Sequence, residues 1–236
     1  MLEKDEILKN IHGGLIVSCQ ALPHEPLYGS DIMSKMAYAA WLGGARGIRA
    51  NTPEDIREIK KTVNLPVIGL YKQEYPDSEV YITPTEAEVK ALMESQPDII
   101  AVDATFRPRP DGVDLDTFFR NIRKKYPRML FMADCSTYEE AVHAEELGFD
   151  LAGTTLCGYT KATEGTLLPA YTLMKRLTAK LKIPVIAEGG IWTPEQLQET
   201  FSRGIHAAVV GTAITRPMDI TKRFVEAITS KNKRST

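Results

Sequence analysis

Six polar side chains stand at the ends of short apolar runs: Gln20, Arg49, Lys72, Asp103, Asp134 and Glu188. If these runs are parallel strands, their carboxyl ends meet at one edge and bring the six groups together. The residues two positions earlier, such as Ser18 and Leu70, are small, apolar or weakly polar, and strand alternation puts both members of a pair on one side. The pattern predicts a polar mouth over a mainly apolar interior, although Asp103 and Asp134 could instead cap helices or form loop ion pairs.

Lys72 and Glu188 each close an uninterrupted apolar run, and together they could act as an acid and a base. A lysine that is partly removed from water and lies near other cations has a lowered pKa, so it can accept a proton near neutral pH. An opposing carboxylate can relay a proton to a hydroxyl or ring oxygen. This chemistry suits proton transfer next to a carbonyl and needs no metal or organic cofactor. A Schiff base on Lys72, as in aldolases, is not excluded by the spacing.

Glycine turns follow the last two apolar runs, at Gly189-Gly190 and at Gly211-Thr212. A turn from a strand into a helix exposes backbone N–H groups, and such surfaces bind anions. If the two runs are the seventh and eighth strands of a barrel, these turns occupy the usual phosphate position of that fold. The sequence therefore predicts a phosphate site beside Glu188.

A strand-then-helix pattern recurs eight times and would position these groups. Continuous Val, Ile and Ala runs that alternate with helices indicate a parallel sheet covered on both faces. Eight units within 236 residues favour one closed (β/α)8 (TIM) barrel that spans residues 1–236. In such a barrel, strands 3 and 7 lie opposite each other. An open doubly wound sheet is the alternative, but no GxGxxG follows the first strand. The predicted strands are 14–20, 45–50, 66–72, 99–104, 129–135, 151–156, 184–188 and 207–210.

Two terminal features complete the predicted domain. Residues 4–10 form a short amphipathic helix before the first strand, and Asp219 begins a last helix, 219–229. The basic residues 231–234 follow that helix, and we expect a frayed terminus there and no binding arm.

The amino-acid composition argues against several classes of binding partner. The chain carries 29 basic and 31 acidic side chains, a net charge of −2, which gives no electrostatic footprint for nucleic acid or for an anionic membrane. No apolar run approaches the roughly 18 residues of a membrane span, and no signal-peptide core is present. The three cysteines are widely spaced without a CxxC pair, so we expect neither a zinc site nor disulfides. This cysteine usage is typical of a protein in a reducing cytoplasm.

Several long segments resemble the N-acetylmannosamine-6-phosphate 2-epimerase family, and the resemblance runs over nearly the whole chain. Most of them fall in predicted loops, which makes them more specific than glycine turns alone. They are LIVSCQALP at 15–23, GIRAN at 47–51, PVIG at 66–69, YPDSEVYITPT at 75–85, DAT at 103–105, RPRPDG at 107–112, MAD at 132–134, GTTL at 153–156, GYT at 158–160, AEG at 187–189 and GTAITRP at 211–217.

The resemblance implies a cofactor-free isomerase with a (β/α)8 barrel. Such an enzyme interconverts N-acetylmannosamine 6-phosphate and N-acetylglucosamine 6-phosphate in sialic acid breakdown. Its ligand is a phosphorylated N-acetyl amino sugar, and members of the family are often dimers, so we expect a cytoplasmic homodimer.

The resemblance also implies roles for individual residues. Lys72 corresponds to the acid/base that removes and returns the C2 proton, and Glu188 to a partner that assists ring opening or protonates the other face. Gln20, Arg49 and Asp134 match residues that hold the sugar and orient the lysine. The residues expected to bind the phosphate are Gly190, Gly211, Thr212 and Arg216. The family pattern often has a basic residue after the lysine and an arginine after Glu-Gly; here Gln73 and Gly190 stand there.

A few interpretations stay open at this point. The fold and the strand-end residues would also suit a phosphosugar-binding sensor without catalytic activity. Cys19 and Cys135 should point away from the barrel interior because they alternate with site positions. The loop residues Arg107 and Arg109 could support a subunit interface or reach the ligand. Tyr159 could belong to a lid or to an ordinary surface loop.

Overall fold

A computed structural model describes residues 3–232 of the chain. Eight parallel strands close into a barrel in the order β1 to β8, with β1 paired to both β2 and β8. The predicted (β/α)8 barrel is therefore confirmed. The strands are β1 Leu15–Cys19, β2 Gly47–Asn51, β3 Val67–Leu70, β4 Ile99–Asp103, β5 Leu130–Asp134, β6 Leu151–Gly153, β7 Val185–Glu188 and β8 Ala207–Val210.

The observed strands are mostly shorter than predicted. Gln20 and Lys72 lie just beyond β1 and β3, because the backbone leaves the sheet before it reaches them. Lys72 instead pairs antiparallel with Ile82, within the long loop that follows β3. The predicted sixth strand was also too long, since the chain turns after Gly153 and Cys157 N–H donates to Thr154 O.

Ten α-helices surround or close the barrel over residues 3–232. The first precedes β1, and α9 and α10 are consecutive helices after β8, where the sequence predicted one helix, 219–229. Their bounds are α1 Lys4–Ile11, α2 Ser30–Leu42, α3 Pro53–Thr62, α4 Glu86–Ser95, α5 Leu115–Lys125, α6 Tyr138–Leu147, α7 Tyr171–Lys180, α8 Pro194–Phe201, α9 Thr212–Thr215 and α10 Pro217–Asn232. Of the predicted tail, Lys231 and Asn232 belong to α10, and Lys233 and Arg234 lie outside the described residues.

Threonine side chains start four of these helices. Thr52 accepts from the backbone N–H of Asp55, with proline at the first helical position, as the sequence predicted. Capping boxes at Thr85, Thr137 and Thr193 start α4, α6 and α8. Ser30 does not cap α2; its hydroxyl donates to Asp55 at 2.6 Å and ties α2 to the first turn of α3.

Two buried apolar clusters follow from the alternation of side chains along the strands. One fills the barrel interior, and the other lies between the strands and the helices. Cys19 and Cys135 belong to the outer cluster and are free thiols, so the predicted orientation is confirmed. Ile7 and Ile11 of α1 join the interior cluster and seal the amino end of the barrel. Among the described residues, no helix combines the length and apolar character that crossing a membrane requires.

Candidate active site

A cavity of about 290 Å³ opens at the carboxyl end of the barrel. Its walls come from strand ends and from the loops after β1, β3, β6, β7 and β8. Of the residues to which the family resemblance gave a role, only Asp134 does not line the cavity, and Asp103, the other strand-end aspartate, does not line it either. The predicted residues that do are Gln20, Arg49, Lys72, Glu188, Gly190, Gly211, Thr212 and Arg216.

Arg49 forms the floor of the cavity and is held from below by Asp134. The Nη2 atom of Arg49 lies 2.6 Å from Asp134 Oδ2, and Nη1 lies 3.2 Å from Oδ1, which makes a bidentate pair. Both side chains are buried. Burial alone would lower the pKa of Arg49, but the charges of Asp134 and Glu188 outweigh it and raise that pKa above its usual range. Asp134 therefore supports Arg49 and acts on the ligand only through the residues that line the cavity.

Lys72 stands above this floor with its backbone fixed on two sides. Its N–H donates to Asn51 Oδ1 at 2.8 Å, and it pairs with Ile82. Within residues 3–232, its ammonium group has no hydrogen bond or ion pair. Burial lowers the pKa of Lys72 to about 8, and the positive charges of Arg49 and Arg216 act in the same direction. The expected combination of desolvation and neighbouring cations is therefore present.

We predict that Lys72 loses its proton near pH 8, against an ordinary value of 10.5. Replacing Arg216 with glutamine removes a nearby positive charge, so the pKa should rise toward its ordinary value and the neutral amine should become scarcer at pH 7.5. A ¹³C NMR titration of protein labelled at lysine Cε measures both effects, with Lys72→Met assigning the signal. A wild-type midpoint above 10, or no rise in the Arg216 variant, would contradict the prediction.

Glu188 faces Lys72 from the opposite wall. The strands β3 and β7 are four apart in an eight-stranded ring, so the two side chains approach the cavity from opposite sides, as predicted. Burial raises the pKa of Glu188 and the charge of Asp134 adds to this, whereas Arg49 and Lys72 oppose it. An acid and a base thus line one cavity in environments that move both pKa values toward neutrality.

The other end of the cavity carries the predicted phosphate turns. Gly189 and Gly190 have φ values of +110° and +70°, a region that favours glycine. A Cβ at Gly190 would collide with the side chain of Leu168, so this turn has no room for a larger residue as it stands. Gly211 lies against Ser18 and precedes Thr212, where the short helix α9 begins. These turns present backbone to the cavity and fit an anion better than an apolar group.

Arg216 brings a side-chain cation to this end, and Glu25 holds it. Its Nε lies 2.9 Å from Glu25 Oε1, and its Nη2 donates to Oε2 at 3.1 Å. Glu25 is itself fixed, since Oε2 accepts from the backbone N–H of Leu22 at 2.7 Å. The guanidinium group is thus oriented before any ligand binds.

Three loop residues and the last residue of β2 contribute to the site without having been predicted as site residues. Tyr81 and Thr155 line the cavity, Asn51 fixes the backbone of Lys72, and Glu25 fixes Arg216. Tyr81 and Thr155 lie within segments that carried the family resemblance, which was the available signal for them. Tyr159 also lines the cavity while it stays mostly exposed, a position compatible with the lid that was one of its two predicted roles.

The other polar groups near the strand ends serve the fold. Asp103 is buried and accepts from Arg107 at 2.7 Å and from Thr105. Arg109 is also buried; it donates to backbone oxygens, including that of Pro84, and stacks on Phe118 at 3.9 Å. Arg109 is therefore engaged inside the fold, away from the cavity. Over residues 3–232, no cluster of three or more His, Cys, Asp or Glu side chains could hold a metal ion.

Comparison with known proteins identifies the same family over most of the chain. The sequence model of a family described as "Putative N-acetylmannosamine-6-phosphate epimerase" matches residues 33–230. A "Putative N-acetylmannosamine-6-phosphate 2-epimerase" of Caldanaerobacter subterraneus subsp. tengcongensis is 52% identical over 223 residues, which are 94% of each chain. A protein of Borreliella burgdorferi with the same name is 54% identical over 225 residues, 94% of this chain and 97% of that protein.

A solved structure agrees with the sequence relatives. The N-acetylmannosamine-6-phosphate 2-epimerase from Clostridium perfringens matches with a TM-score of 0.89 at 49% identity, over 93% of this chain and 95% of that one. The predicted family resemblance is confirmed by both kinds of match. The chain belongs to the N-acetylmannosamine-6-phosphate 2-epimerase family, whose members are isomerases.

Proposed function

We propose that this protein interconverts N-acetylmannosamine 6-phosphate and N-acetylglucosamine 6-phosphate by opening the sugar ring and moving the C2 proton. The observation that carries the proposal is the pair of Lys72 and Glu188 on opposite walls of one cavity, with the pKa of Lys72 lowered to about 8. The glycine turns and Arg216 supply an anion-binding end of the same cavity. We further propose a role in sialic acid breakdown in the cytoplasm, which rests on the family resemblance alone.

The chemistry requires ring opening before proton transfer. In the closed ring the C2 proton is not acidic, whereas opening makes C1 an aldehyde and C2 a carbon acid. Protonated Glu188 gives its proton to the ring oxygen, and the resulting carboxylate takes the proton of the C1 hydroxyl, so Glu188 ends the step protonated. Neutral Lys72 then takes the C2 proton. Arg49, fixed in the floor by Asp134, places positive charge beside the developing enolate. Glu188, on the wall opposite Lys72, returns a proton to the other face of C2, and ring closure gives the epimer. Proton exchange with water then restores neutral Lys72 and protonated Glu188.

Phosphate binding serves the chemistry at a distance. Gly190, Gly211, Thr212 and Arg216 bind the phosphate, and Gln20 contacts the sugar near the strand ends. Binding energy gained at the phosphate, far from the reacting carbon, orients C2 against Lys72.

The direct test follows the C2 proton. The protein is incubated with N-acetylmannosamine 6-phosphate in D2O and observed by proton NMR. Loss of the C2 signal together with appearance of the gluco isomer supports the proposal. If folded protein binds the sugar phosphate but neither change occurs, the proposal fails. That result would support the alternative of a phosphosugar-binding sensor. Borohydride treatment in the same mixture tests the aldolase alternative, since a Schiff base would leave a covalent adduct on Lys72.

We also propose a homodimer, in which α10 contributes to the interface. Phe224, Val225 and Ile228 occupy neighbouring positions on this helix and are 72%, 52% and 67% exposed. An exposed apolar strip of this kind marks an association surface. We predict that wild-type protein sediments as a dimer and that a Phe224→Asp, Ile228→Asp double variant sediments as a monomer. Lys222→Ala on the same helix is the control and should stay dimeric; a monomeric wild type would contradict the prediction.

A further inference from the structure

Two carboxyl groups, that of buried Asp134 and that of half-buried Glu188, compete for the same donors at the floor of the cavity. Thr155, just after β6, has its hydroxyl oxygen 2.6 Å from Asp134 Oδ1 and 3.3 Å from Glu188 Oε2. Arg49 also spans both groups, with Asp134 on its two terminal nitrogens and Glu188 Oε2 at 3.3 Å from Nε. How the donors are shared decides which carboxyl group can carry a proton.

Asp134 receives most of the donors. Both terminal nitrogens of Arg49 donate to it, and the shorter of the two Thr155 distances is also to Asp134. The buried Nε of Arg49, by contrast, has no hydrogen-bond partner within residues 3–232, so its contact with Glu188 is electrostatic only. Three donors satisfy Asp134 as an anion, and the ionised form of Glu188 gains much less.

A threonine hydroxyl has one proton, and the shorter contact to an anion takes it. The lone pairs of Thr155 Oγ1 are then left for Glu188. An ionised Glu188 would place a second acceptor against them, whereas a protonated Glu188 can donate to them. We propose that Thr155 is a positioning residue that holds Glu188 in its protonated form by giving its own proton to Asp134.

The surroundings of Glu188 agree with this arrangement. Burial raises its pKa, and the charge of Asp134 acts in the same direction. Arg49 below it and Lys72 across the cavity oppose the shift, as would a hydrogen bond that Thr155 donated to Glu188. Among the described residues, Tyr159 is a further titratable group that interacts with Glu188. The inference rests on the proposed function, in which Glu188 delivers a proton to the ring oxygen. Once Glu188 is ionised, the unpartnered Nε of Arg49 is at hand to stabilise the anion.

A titration of ligand-free protein tests the proposal. The protein is labelled with ¹³C at the glutamate δ-carbon, Glu188→Gln assigns the signal, and the midpoint is followed by NMR. Thr155→Val keeps the shape of the side chain but removes its oxygen, so we expect a lower midpoint, with the acid dissociation constant of Glu188 rising about 3- to 10-fold. Thr155→Ser restores the hydroxyl and should titrate like wild type.

The direction of the shift is decisive, because the opposite arrangement predicts the opposite sign. If Thr155 donated to Glu188, its removal would raise the midpoint. A raised or unchanged midpoint in Thr155→Val therefore overturns the proposal, and Thr155→Ala gives the same comparison if the valine variant does not fold. The titration needs no turnover, so its failure is distinguishable from failure of the epimerase proposal, which the D2O experiment on wild-type protein tests.

Discussion

Replacing Lys72 with methionine should lower the epimerisation rate by at least about 10³-fold while the barrel remains folded. Methionine has similar length and cannot accept a proton, and Lys72 has no hydrogen bond or ion pair within the described residues to lose. Because the folded state holds the lysine with a lowered pKa, folding disfavours its charged form. We therefore expect the melting temperature of the variant at pH 7 to match or exceed that of wild type.

The control for this variant is Lys61→Met. Lys61 lies in the last turn of α3, does not line the cavity, and pairs with Glu58 at 2.6 Å on the exposed surface. That variant should keep full activity, since its ion pair contributes little to stability and touches no part of the cavity. C2 proton exchange in D2O, read by NMR, and circular dichroism are measured on both proteins. Exchange that persists in Lys72→Met would show that another group is the base.

Asp134→Asn should lower the free energy of unfolding by about 3–5 kcal/mol, because it leaves Arg49 buried without its partner charge. The amide keeps the size of the carboxylate but sets an NH2 group against a guanidinium group that can only donate. Activity should fall as well, since Arg49 then turns toward Glu188, its remaining partner at 3.3 Å. Urea unfolding at pH 7 measures the first effect, and the D2O assay measures the second.

Asp116→Asn provides the matched comparison. Asp116 also binds an arginine, Arg120, at 2.8 Å, and contacts His143 Nε2 at 2.6 Å, but near the surface of α5 where these groups meet water. Its loss should cost no more than about 1 kcal/mol. If the two asparagine variants lose equal stability, the buried pair is not the structural anchor that its geometry indicates.

The fold was predictable, and so was the side of the barrel that each strand residue faces. Both depend on short-range repeats of apolar and polar residues in the sequence. Alternation by two put Leu70 and Ile186 in the interior and Cys19 outside it, as observed. The depth at which each side chain lies below the cavity was not predictable in the same way. Arg49 and Asp134 face the same interior, but the longer arginine covers the aspartate, and nothing in either local sequence indicates which one reaches the ligand.

The site contacts that the sequence did not predict join single polar residues that lie far apart along the chain. Glu25 and Arg216 are separated by 191 positions, and Thr155 and Asp134 by 21. Glu25, Arg216 and Thr155 are loop residues without a periodic neighbour to mark them, and the position of Asp134 at the end of β5 does not indicate its partners. Such pairs arise only when barrel closure brings β8 beside β1 and β6 beside β5. Ser30 shows the same limit, since its sequence suits a helix cap but Asp55 takes its hydroxyl.

The helix α1 has a kinetic consequence. Ile7 and Ile11 close the amino end of the barrel, so the described residues offer no passage through it. Substrate enters and product leaves by the same mouth, and a second sugar cannot enter until the first has gone. In the proposed reaction the two epimers must then inhibit each other competitively, because each occupies the one site at which the other reacts. Net flux through such an enzyme follows the ratio of the two sugar phosphates more closely than the amount of either.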